Sequence, residues 1–279
     1  MTYGHIVVHV DDSQRCAERL GVAAKLACAF HAELVGMYIV PSRELSPSVA
    51  ALLPADVVAR RLEETGAAQA KAETLFRQVA GAAEVAAIEW RAPAGAPIDQ
   101  AVANARCTDL VVLGQRDRAD DDFAFVEELT QSVVLFAGRP ALIVPYAMAS
   151  TSFAERILVA WDGGREASRA LGDALPLLES ARQVTVMSIH ASSGARVADH
   201  VATARLAAYL RSHGIEPQLD HSTVDDTGTG EWLLSRTADL SIDLIVMGAY
   251  AHTRLRELVL GGVTRTMLGA MTVPVLMAH

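Results

Sequence analysis

The residues best able to do chemistry lie in "MGAYAHTRLRELVLGGVTRTML", Met247 to Leu268. An apolar run ends at Met247-Gly248, and Gly261-Gly262 stands immediately before a helix-like run. Arg254, Arg256 and Arg265 lie close by. The paired glycines have two readings: a tight connection that needs permissive backbone, or a seat for a phosphate group. Free backbone N–H groups at a helix start point outward, and the helix dipole adds about half a positive charge. Glycine lets those amides approach an anion with no Cβ in the way. Thr264 and Arg265 would then be side-chain donors.

A second group is Asp162-Gly163-Gly164, where the apolar run "RILVAW" ends. The carboxylate either touches a ligand or accepts backbone amides as a turn residue. The run Asp120–Asp122 with Glu127 and Glu128 has no histidine or cysteine nearby at ligand spacing, so a solvated acidic loop is expected and no metal site. "DGGREAS", Asp162 to Ser168, faintly resembles the pyrophosphate loop of ATP pyrophosphatases, but the leading serine is aspartate and the later spacing differs. No nucleophile–base pair or carboxylate dyad stands out, so dedicated catalysis is not expected. Slow ATP hydrolysis is at most a side activity.

These residues recur in a pattern. "HIVVHVDDS" (His5 to Ser13) matches "RILVAWDGG" (Arg156 to Gly164), placing Asp11 opposite Asp162. "TDLVVLG" ending at Gly114 matches "IDLIVMG" ending at Gly248, and "GRPALIVP" matches "TVPVLMAH". Three landmarks in the same order indicate a duplication. The domains read as 1–146 and 155–279, joined by a short linker of small and polar residues.

Within each half, short Val/Ile/Leu-rich runs alternate with amphipathic stretches. The second half has strand-like runs at Ile157–Trp161, Val184–His190, Ile215–His221, Leu244–Gly248 and Pro274–Ala278. Continuous apolar strands alternating with helices imply an α/β fold: two tandem doubly wound, five-stranded parallel sheets. The first half carries about 17 extra residues, estimated from the two landmark offsets, in a long exposed helix around Pro54–Gly81. In such sheets ligands bind beyond the carboxyl ends of the strands, where strand order reverses.

Composition narrows the partners. The 279 residues carry a net charge of -9, which argues against nucleic acid and anionic membrane surfaces. No apolar segment approaches the roughly 18 residues a membrane span requires. Cys16, Cys28 and Cys107 form no C-x-x-C pair and read as buried or half-buried thiols in a reducing compartment. The start "MTYGHIVVHVDDS" is not a signal peptide, so a cytoplasmic location is expected.

With these residues in view, the chain resembles the universal stress protein family in its tandem form, an adenine nucleotide alpha hydrolase-like fold. The resemblance rests on the aspartate ending the first strand and on Gly-x-x-Gly, nine residues, Gly-Ser/Thr after the fourth. It implies ATP, with or without Mg, as a regulatory ligand of the C-terminal half, and an antiparallel pairing of the two last strands, "ALIVP" and "PVLMA", that would hide two sheet edges. Asp162 and Gly163 would lie near the ribose or a metal, and Ile189 and Met247 beside the adenine. Gly248, Ala251, Arg254, Gly261, Gly262, Val263 and Thr264 would surround the phosphates. The chain departs from the signature in two places: Ala251 replaces the second glycine, and Gly262 replaces the hydroxyl residue. A lost charge-assisted hydrogen bond is worth about 1.5–3 kcal/mol. Arg254, Arg256 or Thr264 would compensate.

In the first half, the count that reaches Gly261 and Gly262 reaches Glu127 and Glu128, beyond Asp117 and Asp120–Asp122. Those charges repel a triphosphate, so that half is expected to bind none. The alternative function is a stress scaffold that binds no nucleotide and acts through unidentified protein partners. Homodimerisation is compatible with either reading.

Overall fold

A computed structural model describes residues 2–41, 52–117, 122–148, 152–190, 196–223, 228–249 and 262–279. Ten strands and eight helices alternate along the described chain. The first repeat runs β1 (His5–Val10), α1 (Cys16–Phe30), β2 (Glu33–Tyr38), α2 (Ala55–Ala82), β3 (Ala87–Arg91), α3 (Pro97–Ala105), β4 (Leu110–Gly114), α4 (Phe123–Phe136) and β5 (Ala141–Val144). The second runs β6 (Arg156–Trp161), α5 (Arg165–Ser180), β7 (Gln183–His190), α6 (Arg196–Ser212), β8 (Pro217–Thr223), α7 (Thr229–Asp239), β9 (Leu244–Gly248), α8 (Gly262–Ala270) and β10 (Val275–Ala278).

The chain forms two compact units. One, spanning Tyr3–Gly114 and Arg118–Val133, holds the parallel strands β3-β2-β1-β4. The other holds Gln115–Asp117 and Val134–His279, with strand order β5-β10-β9-β6-β7-β8. All its pairs are parallel except β5 with β10, whose register sets Leu276 against Leu142. The expected antiparallel pairing of the last strands is present, and it gathers β5 into the second unit.

Sequence explains the packing. β1 and β4 are buried almost throughout, as strands covered on both faces must be. On α1, Cys16, Leu20, Ala23, Ala24 and Ala27 are buried at three- and four-residue spacing. Part of the extra length of the first repeat lies in α2, which has 28 residues against 17 in α6; only Ala72, Phe76 and Ala80 of α2 are buried. Phe76 lies against Gly36, where any Cβ would stand 2.8 Å from the ring.

The duplication extends to hydrogen bonds. Asp109 accepts from the N–H groups of Gly4 and His5, at 2.9 and 3.0 Å. Its counterpart Asp243 accepts from Glu155 and Arg156, at 3.2 and 2.9 Å. Each carboxylate satisfies amides at the start of its repeat's first strand and ties that strand to the fourth. One expectation fails: only Cys16 is buried, whereas Cys28 and Cys107 are exposed. Cys28 belongs to α1 but lies off its buried face, and Cys107 lies past the end of α3.

Candidate functional site

In the second repeat, strand order reverses between β6 and β9: β7 and β8 extend one way, β10 the other. Register places Ala160 beside Met247 and Trp161 beside Ser188. Asp162 therefore follows β6 at the level where β9 ends in Met247-Gly248 and β7 reaches Ile189. Three predicted contributors to one site lie at the carboxyl ends of three adjacent strands, where a doubly wound sheet takes its ligand. Ala251, Arg254 and Gly261 lie outside the described residues.

Some of these residues have structural reasons to be what they are. The exposed Asp162 carboxylate accepts from the Gly164 N–H at 2.7 Å, so the turn role is realised. Gly163 has φ 77°, a left-handed conformation that favours glycine. Met247 is buried. At Gly248 a Cβ would stand 2.5 Å from the Ala167 nitrogen, because the first turn of α5 packs directly onto the end of β9.

Gly262 differs. It opens α8, is exposed, and a Cβ there would meet nothing within 4 Å among the described residues. Among the described residues, neither packing nor a positive φ calls for glycine there. Val263 is half-buried, whereas Thr264 is buried on the face of α8 that also buries Met267 and Leu268. Gly262 is thus exposed, while Thr264 faces inward.

The neighbouring start of α5 is not available in the same way. Glu166 is buried there and ion-paired with Arg165 at 2.9 Å. Burial alone would raise its carboxyl pKa; its own backbone N–H and Arg165 hold it below the ordinary value. An acid already complements this helix start.

The first repeat fills the equivalent region itself. Asp11, at the end of β1, is ion-paired with Arg19 at 2.8 Å and accepts from the Ser13 hydroxyl at 2.7 Å. Arg19 also donates through Nε to the His9 carbonyl at 2.7 Å, and a Cβ on Gly114 would fall on its guanidinium. Glu128, the counterpart of Gly262, lies a full turn inside α4, where helix hydrogen bonds consume the amides. Arg19 escaped the motif search. The available signal was a charged residue in the apolar stripe of α1, eight positions after Asp11, where the second repeat has Ala170.

Among the described residues no group of three His, Cys, Asp or Glu side chains is placed to hold a metal. No described helix is long and apolar enough to cross a membrane.

The Universal stress protein family model matches the chain twice, at residues 2–145 and 154–279. No curated protein sequence matches it. The crystal structure of a universal stress protein from Archaeoglobus fulgidus DSM 4304 is similar, with TM-score 0.76 and 16% identity, over 98% of this chain and 97% of that one. A putative universal stress protein from Pseudomonas aeruginosa UCBPP-PA14 gives TM-score 0.63 and 16% identity, over 99% and 93%. The fold also appears in the cytoplasmic domain of a prokaryotic cation chloride cotransporter, with TM-score 0.53 and 10% identity, over 99% and 95%. At these identities, the likenesses establish the fold alone.

Proposed function

From the premise that the chain belongs to the universal stress protein family, matched over both repeats, we propose that its C-terminal repeat binds ATP or a related adenine nucleotide as a regulatory ligand. The repeats are proposed as two functional domains, 1–146 and 155–279, of which only the second is a nucleotide site. The observation that carries this reading is Gly262: an exposed glycine opening α8, with no packing or conformational need for glycine among the described residues. A phosphate at a helix start supplies such a need, because backbone amides must reach the anion unobstructed. Asp162, Gly163, Ile189, Met247 and Gly248 supply the adjoining strand ends. Asp162 remains exposed and offers an oxygen to a ribose or a phosphate-bound Mg ion. The protein acts as a ligand-controlled binder and not as a dedicated enzyme.

The test is to denature purified protein, chromatograph what is released, and measure thermal stability with Mg-ATP. About one adenine nucleotide per chain is expected. A ligand at 100 times its Kd should stabilise by about 2.7 kcal/mol. No release and no thermal shift in millimolar Mg-ATP would support the scaffold reading instead. Turnover above about 1 per second on a nucleotide would make it an enzyme.

Gly262→Asp sharpens the test because its two effects have opposite signs. A carboxylate at a helix start stabilises the helix by about 0.3–1 kcal/mol, yet it stands where the phosphate rests. Nucleotide binding should vanish while thermal stability holds or rises slightly. Unchanged affinity would place the site elsewhere.

A further inference from the structure

The Arg19–Asp11 ion pair belongs to the N-terminal repeat, outside the proposed nucleotide site, and both of its partners are largely buried. The Arg19 side chain is 4% exposed and that of Asp11 12%. Nε donates to the His9 carbonyl at 2.7 Å, and Nη2 stands 2.8 Å from Asp11 Oδ1, misaligned for a hydrogen bond. Asp11 is steadied by the Ser13 N–H at 3.1 Å and the Ser13 hydroxyl at 2.7 Å. His9 donates through Nε2 to the Ile39 carbonyl at 2.7 Å, leaving Nδ1 without a hydrogen-bond partner, 3.7 Å from Asp11 Oδ2. The guanidinium lies over Gly114, where any side chain would displace it.

The His9 carbonyl accepts a hydrogen bond from the guanidinium, the Asp11 carboxylate neutralises its charge, and Gly114 leaves room for its plane. The second repeat has Ala170 at the corresponding position and an exposed Asp162.

We propose that the N-terminal repeat is a built-in receptor for a guanidinium-type cation, formed by the His9 carbonyl, Asp11 and the Gly114 backbone, with Arg19 as its tethered ligand. The tether keeps the site filled, so this repeat responds to no diffusible ligand. The inference is independent of nucleotide binding by the C-terminal repeat.

Chemical rescue in the full chain tests it. Arg19→Ala removes the head group and leaves the receptor. Methylguanidinium at 1–20 mM (occupancy from about one half to about 95% around a millimolar Kd) should raise the melting temperature of Arg19→Ala in a saturable way. The unaltered chain should not respond, nor should Arg19→Ala combined with Asp11→Ala. Tetramethylammonium, a cation without N–H donors, should give no rescue. Equal responses in the Arg19→Ala and unaltered chains, or none in Arg19→Ala, would overturn the proposal.

If Arg19→Ala does not fold, hydrogen exchange at Arg19 Nε in the unaltered chain provides the second measurement. It should be at least about tenfold slower than at exposed arginines such as Arg77, consistent with a protected, hydrogen-bonded site. An equal rate would overturn the proposal. Rescue in a chain that binds no nucleotide would retain this inference while removing the one on the C-terminal repeat.

Discussion

The two repeats share a strand plan but treat the same place in it differently. In the first, Arg19 reaches across the gap beside Gly114 and closes on Asp11. In the second, the backbone of α5 packs directly on Gly248, Ala170 replaces the arginine, and Asp162 stays at the surface. A duplicated scaffold thus holds its carboxyl-end region in two ways, by a buried ion pair and by helix-on-strand packing. In the second repeat, Asp162 and Gly262 are both exposed.

The largest expected difference between the halves comes from Arg19→Ala. Removing one partner of a buried pair strands the other charge, and such losses run at about 3–5 kcal/mol. Urea denaturation should show it. Asp162→Ala, by contrast, removes one exposed hydrogen bond and should cost about 0.5–1.5 kcal/mol. Equal costs at Arg19 and Asp162 would erase the distinction.

Acid should act next, and through the first repeat. Burial lowers the His9 pKa to about 4, with Asp11 opposing the shift and Arg19 adding to it. The folded state then binds fewer protons than the unfolded state between about pH 6.5 and 4, so stability is full above that window and declines as pH falls. Near 1.36 kcal/mol per pKa unit, the loss is about 3 kcal/mol by pH 4. Burial alone would raise the Asp11 carboxyl, but Arg19 and His9 hold it below its usual range, so its contribution is lost in stronger acid. Denaturation midpoints from pH 7 to 4 should flatten in His9→Gln. No flattening would place the acid sensitivity in another group.

Two further pairs probe what the halves share and where they part. Asp109→Ala and Asp243→Ala should cost similar amounts, about 1.5–3 kcal/mol each, because each carboxylate serves two strand amides. A large inequality would mean that the repeats no longer use this tie alike. The smallest stability effect is expected from Gly262→Asp, within about 1 kcal/mol, although calorimetric titration with Mg-ATP should show nucleotide binding lost.

Much of the fold was legible because its signals are local and repeated. Continuous apolar runs marked buried parallel strands, the matched landmarks exposed the duplication, and α2 appeared where the extra length was counted. Pairing of β5 with β10 was expected from the family resemblance and is present. The site was legible only in outline. Asp162, Gly163 and Gly248 stood out, but spacing could not distinguish a turn, a left-handed backbone or close helix packing from a ligand contact. Thr264 appeared as a phosphate donor, yet helical periodicity turns it inward with Met267 and Leu268.

The amino-acid order by itself determined the alternation of strands and helices, which follows from periodicity along one segment at a time, and the repeat and its family, which show as matched motifs. Which groups meet at the strand ends was decided only by tertiary structure. Arg19 reaches Asp11 and Gly114 because α1 packs beside β4, ninety-odd residues later along the chain, a distance over which no local pattern carries information. Whether a carboxylate is buried with a cation or left in water depends on that closure, and the same strand-end aspartate therefore serves two different roles in one molecule.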